Sequence, residues 1–259
     1  VRRLLLLVAS LLALGGCQDG TVHVAFRPPT GARYDYRVTV TAEVVTRIGD
    51  RPERRSADHD VFTARHSVLS TGSNGSRVEV RLEAADEEPR MFVVRFDRAG
   101  QLAEVQRIEG IPADILGGLG LSEIFPAAAA APPDRPLAPG DRWEIDERVE
   151  LPSPSRLRGT GRLTTLGVVG GRKLATVESD YVLPVGRVAD DGGNRVRLDG
   201  SQRTTATSTH DLRDGAVQEV TAETTGTFTL QLLPPVGTNG PIVPGTLEVR
   251  VRSVTTRLG

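Results

Sequence analysis

Hydrophobic and polar residues alternate along most of this chain. Tyr34, Tyr36, Val38, Val40 and Ala42 recur at every second position, with Arg33, Asp35, Arg37, Thr39 and Thr41 between them. That is the period of a strand buried on one face only. Val78, Val80 and Leu82 repeat the pattern against Arg77, Glu79, Arg81 and Glu83, and Leu247, Val249 and Val251 repeat it against Glu248, Arg250 and Arg252. Thr21–Phe26 also alternates and predicts a first strand before the Pro28-Pro29-Thr30-Gly31 turn. Further strands are expected over Val61–Leu69, Met91–Phe96, Leu102–Ile108, Leu174–Leu183, Val196–His210 and Ala216–Leu232. Threonine is frequent in the last two, and its branched Cβ favours extended backbone. Asn74-Gly75, Gly170-Gly171 and Asp214-Gly215 are turn signals between such runs. Ile48–Asp60 is polar and charged and is expected to be a hairpin loop.

Residues 111 to 125 break the rhythm. Ile111, Ile115, Leu116 and Leu119 share a helical face, and Asp114 suits a helix N-terminus. Gly117, Gly118 and Gly120 weaken such a helix by roughly 1 kcal/mol each. The expected fold class is therefore all-β, mainly antiparallel sheets with one short helical segment, and open to two similar β-meander halves. The halves would be residues 21–125 and 140–259, joined by a Pro/Ala-rich linker over 126–139 that carries Pro126, Pro132, Pro133, Pro136 and Pro139. A short internal echo supports two halves. Gly31-Ala32-Arg33-Tyr34-Asp35-Tyr36 and Gly140-Asp141-Arg142-Trp143-Glu144-Ile145 each open a strand series behind prolines.

Composition removes several function classes. Lys plus Arg number 32 and Asp plus Glu 33 in 259 residues, so the formal charge is -1. Such a balance leaves no electrostatic footprint for nucleic acid. All basic residues but Lys173 are arginine, a compositional habit of high-GC genomes and not a binding signal. Cys17 is the only cysteine, so no disulfide can form within the chain.

The first residues set an address. Arg2 and Arg3 precede an apolar run from Leu4 to Leu14, followed by Gly15-Gly16-Cys17. Eleven helical residues span about 16 Å at roughly 1.5 Å each, half the bilayer's apolar core. The run fits a signal-peptide h-region instead. Leu14-Gly15-Gly16-Cys17 resembles the bacterial lipobox. The resemblance implies a signal peptide over residues 1–16, cleaved before Cys17, a diacylglyceryl thioether on Cys17, and an acyl chain such as palmitate on the freed amine. Residues 17–20 would be the lipidated cysteine and its tether. The protein would be exported and anchored to a bacterial membrane, on the outer face of the cell membrane or in an outer membrane. Two or three acyl chains hold firmly where one does not.

The remaining pattern also resembles uncharacterised envelope lipoproteins with a duplicated β-rich body, through the Gly31–Tyr36 and Pro139–Trp143 strands. A further likeness, of architecture alone, is to lipid carriers whose half-barrel sheets hold acyl chains. It implies that Leu116, Leu119 and Phe125 could line a hydrophobic ligand site together with the scarce aromatics Tyr34, Tyr36 and Trp143. Partners would be the membrane, a hydrophobic ligand or an envelope protein. Catalytic chemistry has no clear carrier in the sequence: carboxylates abundant enough for glycoside hydrolysis are present, with Glu144, Asp146, Glu147 and Glu150 clustered, but nothing picks out a pair. His23, His59, His66 and His210 lack metal-ligand spacing, His59 and His66 are expected in exposed positions, and no nucleophile elbow occurs. Asp190-Asp191-Gly192-Gly193-Asn194 reads as a turn and not as a calcium loop. No metal and no cofactor is expected, and a non-enzymatic binding or structural role is the first reading, ahead of a hydrolase acting on envelope polymers.

Overall fold

The computed structural model describes residues 20–84, 88–98, 102–109, 132–149, 155–191, 194–235 and 237–259. They form eleven strands: β1 (Arg33–Ile48), β2 (Arg54–Gly72), β3 (Gly75–Ala84), β4 (Arg90–Phe96), β5 (Leu102–Glu109), β6 (Arg142–Val149), β7 (Ser155–Val169), β8 (Arg172–Asp191), β9 (Asn194–Asp211), β10 (Val217–Leu233) and β11 (Val243–Leu258). All belong to one sheet in the order β5-β4-β3-β2-β1-β11-β10-β9-β8-β7-β6. Each strand runs antiparallel to its neighbours. Chain order is thus kept within two meanders, and one non-local pairing, β1 with β11, fuses them.

The expected fold class needs correction. Strands, not a strand–helix mixture, make up the described body, and no helix occurs among the described residues. The physical reason is the persistence of period-two alternation and β-branched residues wherever the chain is described. The expected helical segment, 111–125, lies outside the described residues. Two local expectations also differ. Thr21–Phe26 is not a strand; Val22 makes a single antiparallel bridge to Leu137, and the segment crosses the end of the sheet. Conversely, β1 and β2 extend through Ile48 and Arg54, deep into the expected loop, leaving Gly49–Glu53 as the turn. Arg54–Asp60 is polar on both faces because both faces are exposed there.

The sheet curls strongly. Laid flat, eight spacings of about 4.8 Å would separate β4 from β7 by nearly 40 Å. Yet the Phe26 ring lies 5.6 Å from that of Phe96 on β4. Val24, two residues earlier, sits in one cluster with Leu163 of β7 and Ala175 and Val177 of β8. A dipeptide step cannot bridge a flat sheet, so one face is concave. Register places Tyr36, Val38 and Val40 of β1, Val78 and Val80 of β3, Ala206 of β9 and Ala222 of β10 on that inner face, and all are buried. The outer face carries charge, with pairs such as Arg65–Asp35 at 2.8 Å and Arg203–Asp180 at 2.6 Å. Exposed pairs like these contribute little each. Among the described residues no pairing joins β5 to β6.

The lower end, where β1 and β6 begin, is filled by the chain itself. Val22 exchanges backbone hydrogen bonds with Leu137 at 2.8 and 2.9 Å, and the Arg27 amide donates to the Asp214 carbonyl at 2.8 Å. Gly215 has φ +72°, and a Cβ there would strike the Ala25 carbonyl oxygen. Leu137, in the expected linker, is fully buried.

The two meanders repeat each other. The Ala32 amide donates to Pro29 O, Gly31 donates to Val68 O, and Val68 donates to Ala32 O. The same three bonds recur from Asp141 to Ala138, from Gly140 to Leu163 and from Leu163 to Asp141. Gly31 and Gly140 both hold positive φ, 83° and 96°. A register shift follows at Val68/Ser70 in β2 and at Leu163/Thr165 in β7. The short sequence echo therefore marks a true structural repeat, carried by β1–β5 in one half and β6–β10 in the other.

Candidate functional site

Two surfaces of the sheet have the shape to engage something. The first is the upper part of the inner face. There Leu198, Phe228 and Leu230 are buried, while Ile48, Val185, Val196, Leu232, Leu247 and Val249 pack against them only partly covered. Register puts all of them on the inner face, because Phe228 faces Leu247 across β10–β11 and Leu230 faces Leu198 across β9–β10. Five strands thus present a concave apolar strip at the end opposite the filled one. Burying such a surface contributes about 25 cal/mol per Å².

The second is a trough of ≈ 530 Å³ on the outer face. Its walls include Arg142 of β6, Arg162 of β7, Glu178 of β8 and Glu223 of β10, over a threonine floor from Thr160, Thr205, Thr207 and Thr221. Arg142 and Arg162 are direct cross-strand partners. Like charges so placed are unfavourable. Among the described residues the side chains of these four charged residues make no ion pair or hydrogen bond. Asp180, beside them, is committed to Arg203, whose guanidinium holds its carboxyl below the usual carboxylate range.

The sequence-predicted residues scatter. Tyr34 and Tyr36 are buried core residues at the lower end. Tyr34 donates its hydroxyl to Asp214 Oδ2 at 3.0 Å, and the Arg257 guanidinium lies 4.7 Å above its ring. The other Asp214 oxygen accepts the Ala216 amide at 3.0 Å. Burial, and for Tyr34 also Asp214, pushes both phenols above their ordinary range. Trp143 stands apart on β6, its indole lying flat where a Cβ on its cross-strand partner Gly161 would otherwise go. Its Nε1 is buried with no hydrogen-bond partner among the described residues. Leu116, Leu119, Phe125 and Cys17 lie outside the described residues.

The histidines differ from expectation. His59 is exposed, but His66 and His210 are buried. His210 Nδ1 is 3.2 Å from the Gly215 carbonyl and Nε2 is 2.8 Å from Ser208 Oγ. A carbonyl only accepts, so Nδ1 carries the proton and Nε2 accepts from the serine. Burial lowers the His210 pKa to about 4. The ring is neutral and the serine is paired with a base, as in a hydrolase. Both residues are sealed in the core, however, and no substrate can reach the oxygen. Among the described residues no group of three or more His, Cys, Asp or Glu side chains is placed to hold a metal. The Asp190–Asn194 turn is only partly within the described residues.

Sequence reasoning missed the trough. Its residues come from five strands, and only the register shows that they share a face. No family model and no curated protein matches the chain.

Proposed function

We propose that the chain is an exported envelope lipoprotein, held to a bacterial membrane by acyl chains on Cys17, that works by binding and not by catalysis. Its ligand is an apolar molecule seated on the inner face of the curled sheet. The observation that carries this reading is the half-covered apolar strip of Ile48, Val185, Val196, Leu232, Leu247 and Val249 at the upper end. A monomeric surface seldom leaves such a concave apolar strip without use. The Leu14-Gly15-Gly16-Cys17 motif behind its apolar run supports the anchor.

Native mass spectrometry of the mature protein released from membranes, with solvent extraction of any adduct, tests the ligand. The expected result is a stoichiometric lipid, lost when Val249→Glu places a charge in the strip. A bare mass from folded protein overturns the apolar ligand. The outer trough, whose Arg142, Arg162, Glu178 and Glu223 side chains have no ion-pair partner among the described residues, then favours an envelope protein as partner. Intact mass of the N-terminal peptide tests the anchor separately: two or three acyl chains are expected on Cys17, and none in Cys17→Ser.

A further inference from the structure

The large apolar side chains most exposed among the described residues stand side by side. Val168 and Val169 are 66 % and 65 % exposed at the tip of the β7–β8 hairpin. The turn between the strands is two residues long, with Gly170 and Gly171 both at positive φ, 56° and 79°. Val169 faces Arg172 across it. This turn type matches the natural strand twist and makes a tight tip. The tip projects: β6 stops pairing with β7 at Arg162, and β9 stops pairing with β8 at Leu174. A Cβ on either glycine would meet only open space. Arg172 and Lys173, both exposed, follow the turn at once, and Lys173 is the one lysine of the chain. Arg213, 70 % exposed on its side chain, stands on the adjoining β9–β10 turn, where the Leu212 amide donates to the Lys173 carbonyl at 2.9 Å.

This tip lies at the end where the described chain begins, at Gly20. Val22 packs into the same small cluster as Leu166 and Leu212. Leu166 is two residues before Val168. Gly20 is two residues before Val22, and Cys17 is three residues before Gly20, a step of at most about 11 Å at 3.8 Å per residue.

We propose that the β7–β8 tip is a membrane-contacting element that seats the lower end of the protein on an anionic bilayer. Val168 and Val169 enter the headgroup–acyl boundary, and Arg172 and Lys173 meet lipid phosphates beside them. A pair of apolar side chains flanked by basic ones is the pattern of interfacial binding. The docking rests on the anchor reading for its orientation: Cys17 and the tip then meet one membrane surface, and the apolar strip opens away from it.

The test uses the mature protein in vesicles of phosphatidylethanolamine and phosphatidylglycerol. An environment-sensitive dye is placed at the tip through Val169→Cys, or at the upper β10–β11 turn through Thr238→Cys. The expected result is blue-shifted emission at position 169, quenched several-fold by nitroxide lipids, with position 238 left in water. Charge reversal by Arg172→Glu with Lys173→Glu reduces that quenching. Equal quenching at the two positions, in protein that carries acyl chains on Cys17 and floats with the vesicles, overturns the docking alone. An unmodified Cys17 peptide in wild-type protein overturns the anchor and the orientation that depends on it.

Discussion

The β1–β2 and β6–β7 hairpins begin in the same way and end in different surroundings. Each opens on a positive-φ glycine, repeats the same three backbone hydrogen bonds and bulges at the equivalent place. β1 is then covered on both sides, by β2 and β11, whereas β6 pairs, among the described residues, with β7 alone. The residues that follow diverge accordingly. Tyr34 corresponds to Trp143, Tyr36 to Ile145 and Val38 to Glu147. Register carries the comparison further: Phe96 on β4 occupies the place that His210 occupies on β9, each opposite the matching residue of the preceding strand, Ser76 or Ala175. At two of these places, Val38/Glu147 and Phe96/His210, the first half holds an apolar side chain where the second holds a group that titrates. The local turn dictates the hairpin, and the neighbouring strand dictates what its inner face can hold.

Truncation gives the largest expected contrast. Tyr36→Ala removes a fully buried aromatic between β2 and β11 and is expected to cost about 4 kcal/mol. Ile145→Ala, its edge-strand counterpart, is expected to cost about 2 kcal/mol. Urea midpoints of the two variants decide; equal losses would break the contrast between centre and edge. The next effect is acid sensitivity from His210. Its folded pKa, about 4, lies below the ordinary 6.5. The unfolded chain therefore takes up a proton first as pH falls. Stability is whole above about pH 6.5 and declines toward pH 4, by about 3 kcal/mol in all. His210→Gln removes that slope, read from urea midpoints between pH 7 and pH 4. An unchanged slope would place the acid sensitivity elsewhere.

Much of this repeat was legible in the sequence. Alternation marked most of the strands because most have one wet face, and the six-residue echo at Gly31 and Gly140 marked the two lead-in turns. The pairing of β1 with β11 was not legible. It joins residues some two hundred positions apart, and nothing local encodes it. Arg54–Asp60 read as a loop because a strand exposed on both faces shows no alternation. Tyr34 and Tyr36 read as ligand-lining because aromatics with polar tips suit either role, and only the folded chain shows both rings buried and the Tyr34 hydroxyl bonded to Asp214. Neither the trough nor the apolar strip was visible, since each is assembled from one to three residues on each of five strands.

The polar tips of the two aromatics give a smaller contrast. Tyr34→Phe leaves the buried Asp214 oxygen without its hydroxyl donor and is expected to cost about 1–2 kcal/mol. The indole Nε1 of Trp143 has no partner among the described residues, so replacing its N–H costs no hydrogen bond. Trp143→Phe should therefore cost only the lost ring area, which Trp143→Leu would share. If Trp143→Phe proves as damaging as Trp143→Leu while Tyr34→Phe is silent, the assignment of polar roles to the two positions is reversed.

Glu147 offers the finest test, with a sign opposite to that of His210. It occupies the inner-face place where the first half has fully buried Val38. Burial first, then the Asp97 and Asp146 carboxylates, push its pKa up to about 7. The influence of Asp97, at the end of β4, is itself a mark of the curl, because a flat sheet would hold β4 and β6 nine strand spacings apart. A raised folded pKa means that the neutral acid is favoured in the fold. Its contribution is whole below about pH 4.5 and is lost as pH rises through 7, when the carboxylate must ionise inside the curl. Glu147→Gln keeps the shape and removes the charge, so it is expected to stabilise the protein by about 1 kcal/mol at pH 8 after solvent screening. It should change little at pH 4.5. The matched substitution Val38→Gln, at the covered position, must instead destabilise at every pH, because an amide is buried there with no titration to relieve. A Glu147→Gln variant less stable than wild type at pH 8 would mean that the charged form is welcomed on β6, and that the second half has built a site for it where the first has only core.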